Sequence, residues 1–390
     1  MFLKLILRQL QKLLINYDHF YPAYKAGGPI QSLTNLVISF QKEYEIGVIT
    51  SGYDLNADHP LDKIKINAWS EVTLPHGPSA IQVWYADKNQ PSRSRFKKCI
   101  NDSQPSIVYL NGMFSYRFVI IPLLTVNKKK IKLVLCPRGM LQRGALAGKS
   151  LKKKLFLSAL KISGLVKNIT WHATNEEEQE DIKRVFGKQV DVIIAGNIPK
   201  RPVDTINVSR KVAGQLRLVF LSLIAEKKNL LQTIEFLSKV QGNITLDIYG
   251  PVKDERYWRS CLIAIEKNSG KVNYKGDVKP EMVQEIFCQY DASILLTKGE
   301  NFGHALYESL SVGRPIITSY FTPWNNLEEK KAGWNMDISN EEQCIEKLDT
   351  IAGMDADSFD EYCRGAYGVA KEYYEKSADI SNYQKLFSVD

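Results

Sequence analysis

Short apolar runs alternate with amphipathic stretches along most of the chain, which is the pattern of parallel α/β layers. Near the start, KLLIN (12–16) reads as a buried strand running into a glycine-containing loop, YPAYKAGGP, and then a helical stretch, IQSLTNLVISFQK. IGVITS (46–51), SIVYLN (106–111), KLVLCP (132–137), ITWHAT (169–174) and VDVIIAG (190–196) supply further strands of the same sheet. The second half repeats the alternation more clearly. RLVFLSL (217–223) is a strand, AEKKN a loop, and a helix is expected from Leu230 to Val240. TLDIYG (245–250), VNYKG, ASILLT and PIITS read as strands, with YWRSCLIAIEK, EMVQEIFCQY and ALYESLSV as helices between them. Ser339, followed three residues later by Glu342, forms a capping box expected to open a late helix. The first eleven residues are an amphipathic prefix that the pattern does not place. No repeat of solenoid period occurs. The expectation is an α/β protein of two doubly wound domains facing each other across a cleft, with ligands at the carboxyl ends of the strands.

The length of 390 residues suits two domains. A hydrophobic fraction of 44% with 24% charged residues is that of a well-packed globular chain and excludes disordered and collagen-like classes. No apolar run approaches the ~18 residues of a membrane span. The N-terminus, with Lys4, Arg8 and Lys12 spread through it, lacks the zones of a signal peptide. The six cysteines are scattered without a C-x-x-C pair, so reduced thiols and a cytoplasmic setting are expected. The net charge of +9 is unevenly placed. Residues 1–200 hold 29 Lys and Arg against 15 Asp and Glu, whereas 201–390 hold 23 against 28. The break coincides with NIPKRPVD, which reads as a linker. In the basic half, KKKIK (128–132) and KSLKKK (149–154) point to an anionic partner, for which an anionic membrane is the expectation and a solvated lysine face the plainer alternative. Nucleic acid is not expected, because no aromatic residues interleave with the lysines.

Candidate chemistry concentrates in TKGENFGHALYESLSVGRPIITS (297–319). Gly303 stands at an expected helix start, where unpaired N–H groups and the positive end of the dipole make a seat for phosphate. Glu300 precedes that seat, and Glu308 lies about five residues inside the helix, ~7 Å further on at ~1.5 Å per residue. Two carboxylates flanking such a seat suit a ligand with hydroxyls at both ends, such as a nucleoside diphosphate sugar. On the plainer reading Glu308 is a solvated helix residue. The five histidines form no ligand spacing, and Asp355-Ala356-Asp357 reads as a helix cap rather than a metal site.

E-x(7)-E within GENFGHALYESLSVGRPIITS, followed by TPWNNLEEKKAGW (322–334), resembles the retaining GT-B glycosyltransferases of glycosyltransferase family 4. The resemblance extends through YPAYKAGGPIQSLTNLV (21–37), PRGMLQRGAL (137–146), FLSLIAEKKNLL (220–231), DIYGPVKDERYW (247–258) and VNYKGDV (272–278). It implies a GT-B fold, with residues 1–200 as the acceptor-side Rossmann-like domain and 201–390 as the donor-side one, the last helix packing back on the first domain. It implies transfer of a sugar from a nucleoside diphosphate sugar to a hydroxyl of a glycan or lipid-linked acceptor, with retention and without a metal or other cofactor. The setting implied is surface polysaccharide synthesis at the cytoplasmic face of a membrane. Residue by residue, Glu300 matches the Glu near the donor sugar and Glu308 the Glu that holds the ribose. Phe302, Gly303, His304 and Ala305 match positions touching sugar and diphosphate, and Lys228 the diphosphate-binding Lys. Gly27 and Gly28 match the first-domain glycine loop at the same diphosphate. Two positions depart from the family pattern. Leu223 replaces the usual Arg five residues before the Lys, and Arg138 stands where many relatives carry His. Arg138 is expected at the donor phosphates or an anionic acceptor, or in a loop salt bridge. A sugar-nucleotide epimerase and a catalytically silent sugar-nucleotide binding protein are the rival readings.

Overall fold

The computed structural model describes residues 10–89, 93–147, 150–206, 211–377 and 380–389. Most of the amphipathic prefix, and Lys149 of the second lysine cluster, lie outside them. The chain divides into two compact units. One comprises Met1–Ala23, Ser32–Asn197 and Ile380–Asp390, the other Tyr24–Gln31 and Ile198–Asp379.

The first unit is built on β1 (Gln11–Asn16), β2 (Tyr44–Ser51), β3 (Trp69–Thr73), β4 (Ala80–Ala86), β5 (Ile107–Asn111), β6 (Lys132–Cys136), β7 (Thr170–Ala173) and β8 (Val192–Ile194). They lie side by side in the order β3-β4-β2-β1-β5-β6-β7-β8. All neighbours run parallel except the edge strand β3, which pairs antiparallel with β4. Strands covered on both faces must be apolar throughout, and β5, IVYLN, is buried at all five positions. The helix Ser381–Phe387 completes this unit. Tyr383 donates to the Gly196 carbonyl at 2.8 Å, and Phe387 sets its edge against Phe40 and Tyr109. Lys132 donates to the Ser388 carbonyl at 2.6 Å, satisfying an acceptor that the helix end leaves free.

The second unit carries β9 (Gln215–Leu221), β10 (Asn243–Tyr249), β11 (Val272–Tyr274), β12 (Ala292–Leu295), β13 (Ile316–Ser319) and β14 (Gly333–Met336). All are parallel, in the order β11-β10-β9-β12-β13-β14. The first strand of the unit therefore stands in the middle. The chain runs outward to β11 and then returns to lay β12 to β14 on the other side of β9. Loops leaving β9 and β12 part in opposite directions and open a crevice at the carboxyl ends of these strands. The first unit has the same feature between β1 and β5. Every cysteine is a free thiol, and five of the six are buried. Among the described residues no helix is long and apolar enough to cross a membrane.

One capping expectation changes and another holds. The late helix spans Glu341–Gly353, and its cap is Asn340, whose side chain accepts from the Gln343 N–H at 3.1 Å. Ser339 instead turns back to donate to Asp337 at 2.6 Å. Asn accepts at least as well as Ser at this position, so the adjacent residue takes the role. Asp355 does cap a helix, accepting from the Ser358 N–H at 2.8 Å at the start of Ala356–Ser377.

Candidate functional site

The crevice between β9 and β12 gathers the chemistry of the second unit. After β9 the chain forms a single 3₁₀ turn, Glu226–Lys228, ended by Asn229 in the left-handed region. That turn is fastened to the loop after β12. The Lys227 carbonyl accepts from the Lys298 N–H at 2.8 Å and the Thr297 hydroxyl at 3.1 Å, while Asn229 donates to the Leu296 carbonyl at 3.0 Å. The loop after β13 joins them, since the Glu300 N–H donates to the Phe321 carbonyl at 2.9 Å. Three strand ends thus hold one short stretch, Thr297–Gly303, in place.

Lys228 and Glu300 meet there in a direct ion pair, their side chains 20% and 12% exposed. Lys227 is a second cation at the same spot, which reading from the sequence left unassigned. A Cβ on Gly299 would lie 3.2 Å from Lys227 Cε, and the charge of Glu300 acts on this lysine as well. The signal was the doubled lysine in AEKKN.

Gly303, at φ +77°, turns the chain into the helix His304–Ser311 and serves as its N-cap. A side chain there would be strained by the left-handed backbone and would touch Leu306. The Phe302 ring points inward and is buried with Tyr307, Trp324 and Tyr373, while its carbonyl accepts from Trp324 Nε1 at 2.6 Å. What Phe302 offers a ligand is therefore backbone position and not its ring, because the aromatic cluster behind the helix start takes the side chain. His304 and Ala305 are half-buried in the first helical turn.

Glu308 is not the solvated helix residue of the plainer reading, nor does it lie outside the core. It is 8% exposed, with Leu306, Tyr307, Ser309, Leu310 and Ser311 buried around it. Among the described residues no side chain donates a hydrogen bond to its carboxyl, and the charge that acts on it is that of Lys200. Burial pushes its pKa up to about 7, with Lys200 opposing. A buried carboxylate without a donor is costly unless something supplies one.

The glycine loop, Tyr24–Gln31, lies with this second unit. Asp277, after β11, accepts from Tyr24 at 3.0 Å and pairs with Lys25 at 2.9 Å, and the Lys25 ammonium holds the Asp277 carboxyl below its ordinary pKa. A Cβ on Gly27 would lie 3.3 Å from Leu223 Cδ1, and one on Gly28 only 2.8 Å from His304 Cδ2. Gly27 is favoured by its left-handed φ of +84° and Gly28 by the close approach of His304, so the loop reaches the helix start that carries Gly303.

Arg138 belongs to the first unit and, among the described residues, forms no salt bridge. At φ +54° its guanidinium donates to Asn111 and Asn197, both at 2.9 Å, and to the Tyr109 hydroxyl at 3.0 Å. Tyr109 in turn donates to His172 Nδ1 at 2.7 Å, and His172 Nε2 donates to the Ala195 carbonyl at 2.8 Å. This order leaves His172 neutral, and burial followed by the charge of Arg138 pushes its pKa down to about 3. Three neutral acceptors knit Arg138 into the carboxyl edge of its own sheet. At the same edge Asp18, just past β1, accepts from Ser115 at 2.8 Å, and burial raises its pKa. Asp18 carried no sequence signal beyond its place after a strand.

Residues 204–359 match the family Glycosyl transferases group 1. None of the curated proteins compared with the chain matches it by sequence. Among solved structures, sucrose-phosphate synthase from Thermosynechococcus elongatus superposes with a TM-score of 0.74 at 11% identity, covering 97% of this chain and 99% of that one. HepE from Anabaena, in complex with UDP and glucose, gives 0.69 at 12% identity over 96% and 99%. A TarM variant from S. aureus, in complex with fondaparinux, alpha-GlcNAc-glycerol and UDP, gives 0.68 at 13% over 97% and 100%. The chain has the GT-B fold, and its second unit contains a glycosyl transferases group 1 region that spans Lys228, Glu300 and Glu308.

Proposed function

We propose that this protein moves a sugar from a nucleoside diphosphate sugar to a hydroxyl of a glycan or lipid-linked acceptor, with retention at the anomeric carbon. The observation that carries the reading is the array at one crevice: the Lys228–Glu300 pair, the helix start at Gly303, and the buried Glu308, whose carboxyl accepts from no described side chain. A diphosphate on the helix start meets amide N–H groups and two lysine charges, which stabilise the negative charge that grows on it as the sugar leaves. Ribose hydroxyls donate to Glu308 and supply the hydrogen bonds that it lacks. Glu300 then lies on the sugar side, and the departing diphosphate frees the face from which the acceptor attacks. Relatives of the same fold are recorded with UDP and glucose and with UDP beside a glycosylated glycerol, which fits this chemistry. Protein cations take the place of a metal, and the product belongs to a surface polysaccharide.

Calorimetric titration with a panel of nucleoside diphosphates and their sugars tests this directly. Binding of at least one nucleoside diphosphate is expected, lost or weakened at least tenfold in Glu308→Ala, followed by turnover on a glycan acceptor with the anomeric configuration retained by NMR. Failure of every nucleotide to bind sinks the reading. Leu223, an aliphatic side chain at the family's Arg position, favours one second reading, a silent sugar-nucleotide binding protein. Tight donor binding with no turnover on any acceptor would select it.

A further inference from the structure

The helix Ser150–Ile162, in the first unit, carries an apolar ridge on its outside. Leu151, Leu155 and Ile162 are 70%, 63% and 86% exposed, which is unusual for large aliphatic side chains. At about 100° per residue the three fall within roughly 40° of one another, and they span ~16 Å of helix at ~1.5 Å per residue. From the middle of the ridge, Lys154 and Lys161 lie about 80–100° to one side and Lys152 about 80° to the other. The inner face is a separate, ordinary core face. Leu157 and Leu160 are buried, Phe156 packs on Phe114, and Lys153 is drawn inward to the Ala145 carbonyl and over the Phe114 ring. The outer leucines are therefore not needed to hold the helix down.

The two lysine clusters singled out in the sequence converge here. Lys128 donates to the Leu165 carbonyl, three residues past Ile162, which brings the Lys128–Lys130 turn beside the end of the ridge. No acidic residue lies between Asp102 and Glu176, so nothing within this stretch neutralises these lysines. The combination of a narrow aliphatic ridge with lysines on both flanks selects the partner. Nucleic acid would use the charge but has no complement for three bare aliphatic side chains, since bases stack on aromatic rings. An anionic bilayer uses both, taking the aliphatic groups into the acyl boundary while its head groups face the lysines.

We propose that the outer face of Ser150–Ile162 is an interfacial membrane helix that seats the first unit on an anionic lipid surface, with the Lys128–Lys130 turn as a second contact. This surface is independent of the sugar-transfer reading and names the surface from which a lipid-linked acceptor would be met. The test is co-sedimentation of the full chain with vesicles of phosphatidylglycerol and phosphatidylcholine, against pure phosphatidylcholine, at low and high salt. Retention on the anionic vesicles at low salt is expected, falling as the Debye length shortens from ~10 Å at 0.1 M to ~3 Å at 1 M. Leu155→Ser/Ile162→Ser should lower partition about tenfold or more at fixed charge, since each residue buries a large aliphatic group. Lys152→Ser/Lys154→Ser/Lys161→Ser should lower it similarly while flattening the salt dependence. Because the substituted residues are exposed, thermal stability and nucleoside diphosphate binding are expected to stay those of the parent. The proposal is overturned if the parent is not retained, if it binds uncharged vesicles equally well, or if the serine pair is retained like the parent. It is equally overturned if the parent is a dimer that ignores vesicles and that the serine pair makes monomeric, because the ridge is then a protein interface. Since no donor sugar is present, a failed transferase assay leaves this result untouched.

Discussion

Replacing Glu308 by Gln should make the ligand-free protein more stable at alkaline pH while weakening its grip on a nucleoside diphosphate. The Glu308 carboxyl is buried, accepts no hydrogen bond from a described side chain, and is pushed up to about 7 from an ordinary 4.5. The sign follows from linkage. A carboxyl whose pKa rises on folding stays protonated in the native state where the unfolded chain has already released its proton. Its favourable contribution is complete below about pH 4.5 and is lost as pH rises through about 7. The interval corresponds to roughly 3 kcal/mol. Gln keeps the shape and never ionises, so the difference between variant and parent should grow from near zero at pH 4.5 to about 3 kcal/mol at pH 8.5. For a unit of this size that is a gain in Tm of about 6–12 °C, at ~2–4 °C per kcal/mol. Differential scanning fluorimetry without ligand, from pH 4.5 to 8.5, reads the difference directly. At pH 8 the same variant should bind nucleoside diphosphate about 10- to 100-fold more weakly, because hydrogen bonds to a charged acceptor are worth ~1.5–3 kcal/mol. A Tm difference that is flat with pH would mean that the carboxyl is ionised and solvated in the free protein, and the argument from burial would fail.

Glu300→Gln should lower kcat about 10- to 150-fold with nucleoside diphosphate affinity kept, whereas Glu308→Ala should mainly raise the donor KM; the reverse assignment from steady-state kinetics and titration would place the donor the other way round. Excess chelator should leave turnover within about twofold, on the reading that lysines neutralise the leaving group. Activity abolished by chelator and restored by manganese or magnesium refutes that. Gly28→Ala would put a Cβ 2.8 Å from His304 Cδ2 and should weaken nucleotide binding by displacing the loop. In a His304→Ala background the same substitution should cost little, and a double-mutant cycle with no coupling would show that the contact is idle.

How far the sequence could be read depended on burial. Strands covered on both faces, such as β5 and β12, are unbroken apolar runs, and so they stood out. The edge strand β3 did not, because WSEVT is half-exposed throughout and resembles a polar loop. β14, GWNM, was hidden for another reason: a Gly and an Asn interrupt it, yet Asn335 is buried because its amide serves the Trp324 carbonyl at 2.8 Å and the Leu327 N–H at 3.2 Å. The site followed the same rule. Spacing located Glu300 and Glu308, but only packing could reveal that one is paired with Lys228 and the other buried with no donor among the described side chains. Arg138 shows the limit on the opposite side. Its residue type suggested an anion, and its partners within the fold, Asn111, Asn197 and Tyr109, come from distant segments that no local pattern connects.

The missing arginine is best understood through Lys227. Leu223 fills the position with an aliphatic group that lies against Gly27, so no guanidinium enters from that side. Lys227 adds its charge to the same stretch of chain, beside Gly299 and within the field of Glu300. Two lysines can neutralise a diphosphate as a lysine and an arginine do, but they lack the fork that fixes two oxygens at once. The loss should therefore appear in orientation more than in charge. Lys227→Met is then expected to weaken nucleoside diphosphate binding about tenfold, close to the effect of Lys228→Met, and Leu223→Arg should restore most of it in the Lys227→Met background. Leu223→Arg alone should raise kcat more than affinity, because the parent already has the charge and gains only the geometry. Titration and single-turnover rates on the four variants separate these terms. If Lys227→Met binds nucleotide like the parent, Lys227 is a surface lysine and the leaving group relies on Lys228 and the helix start alone.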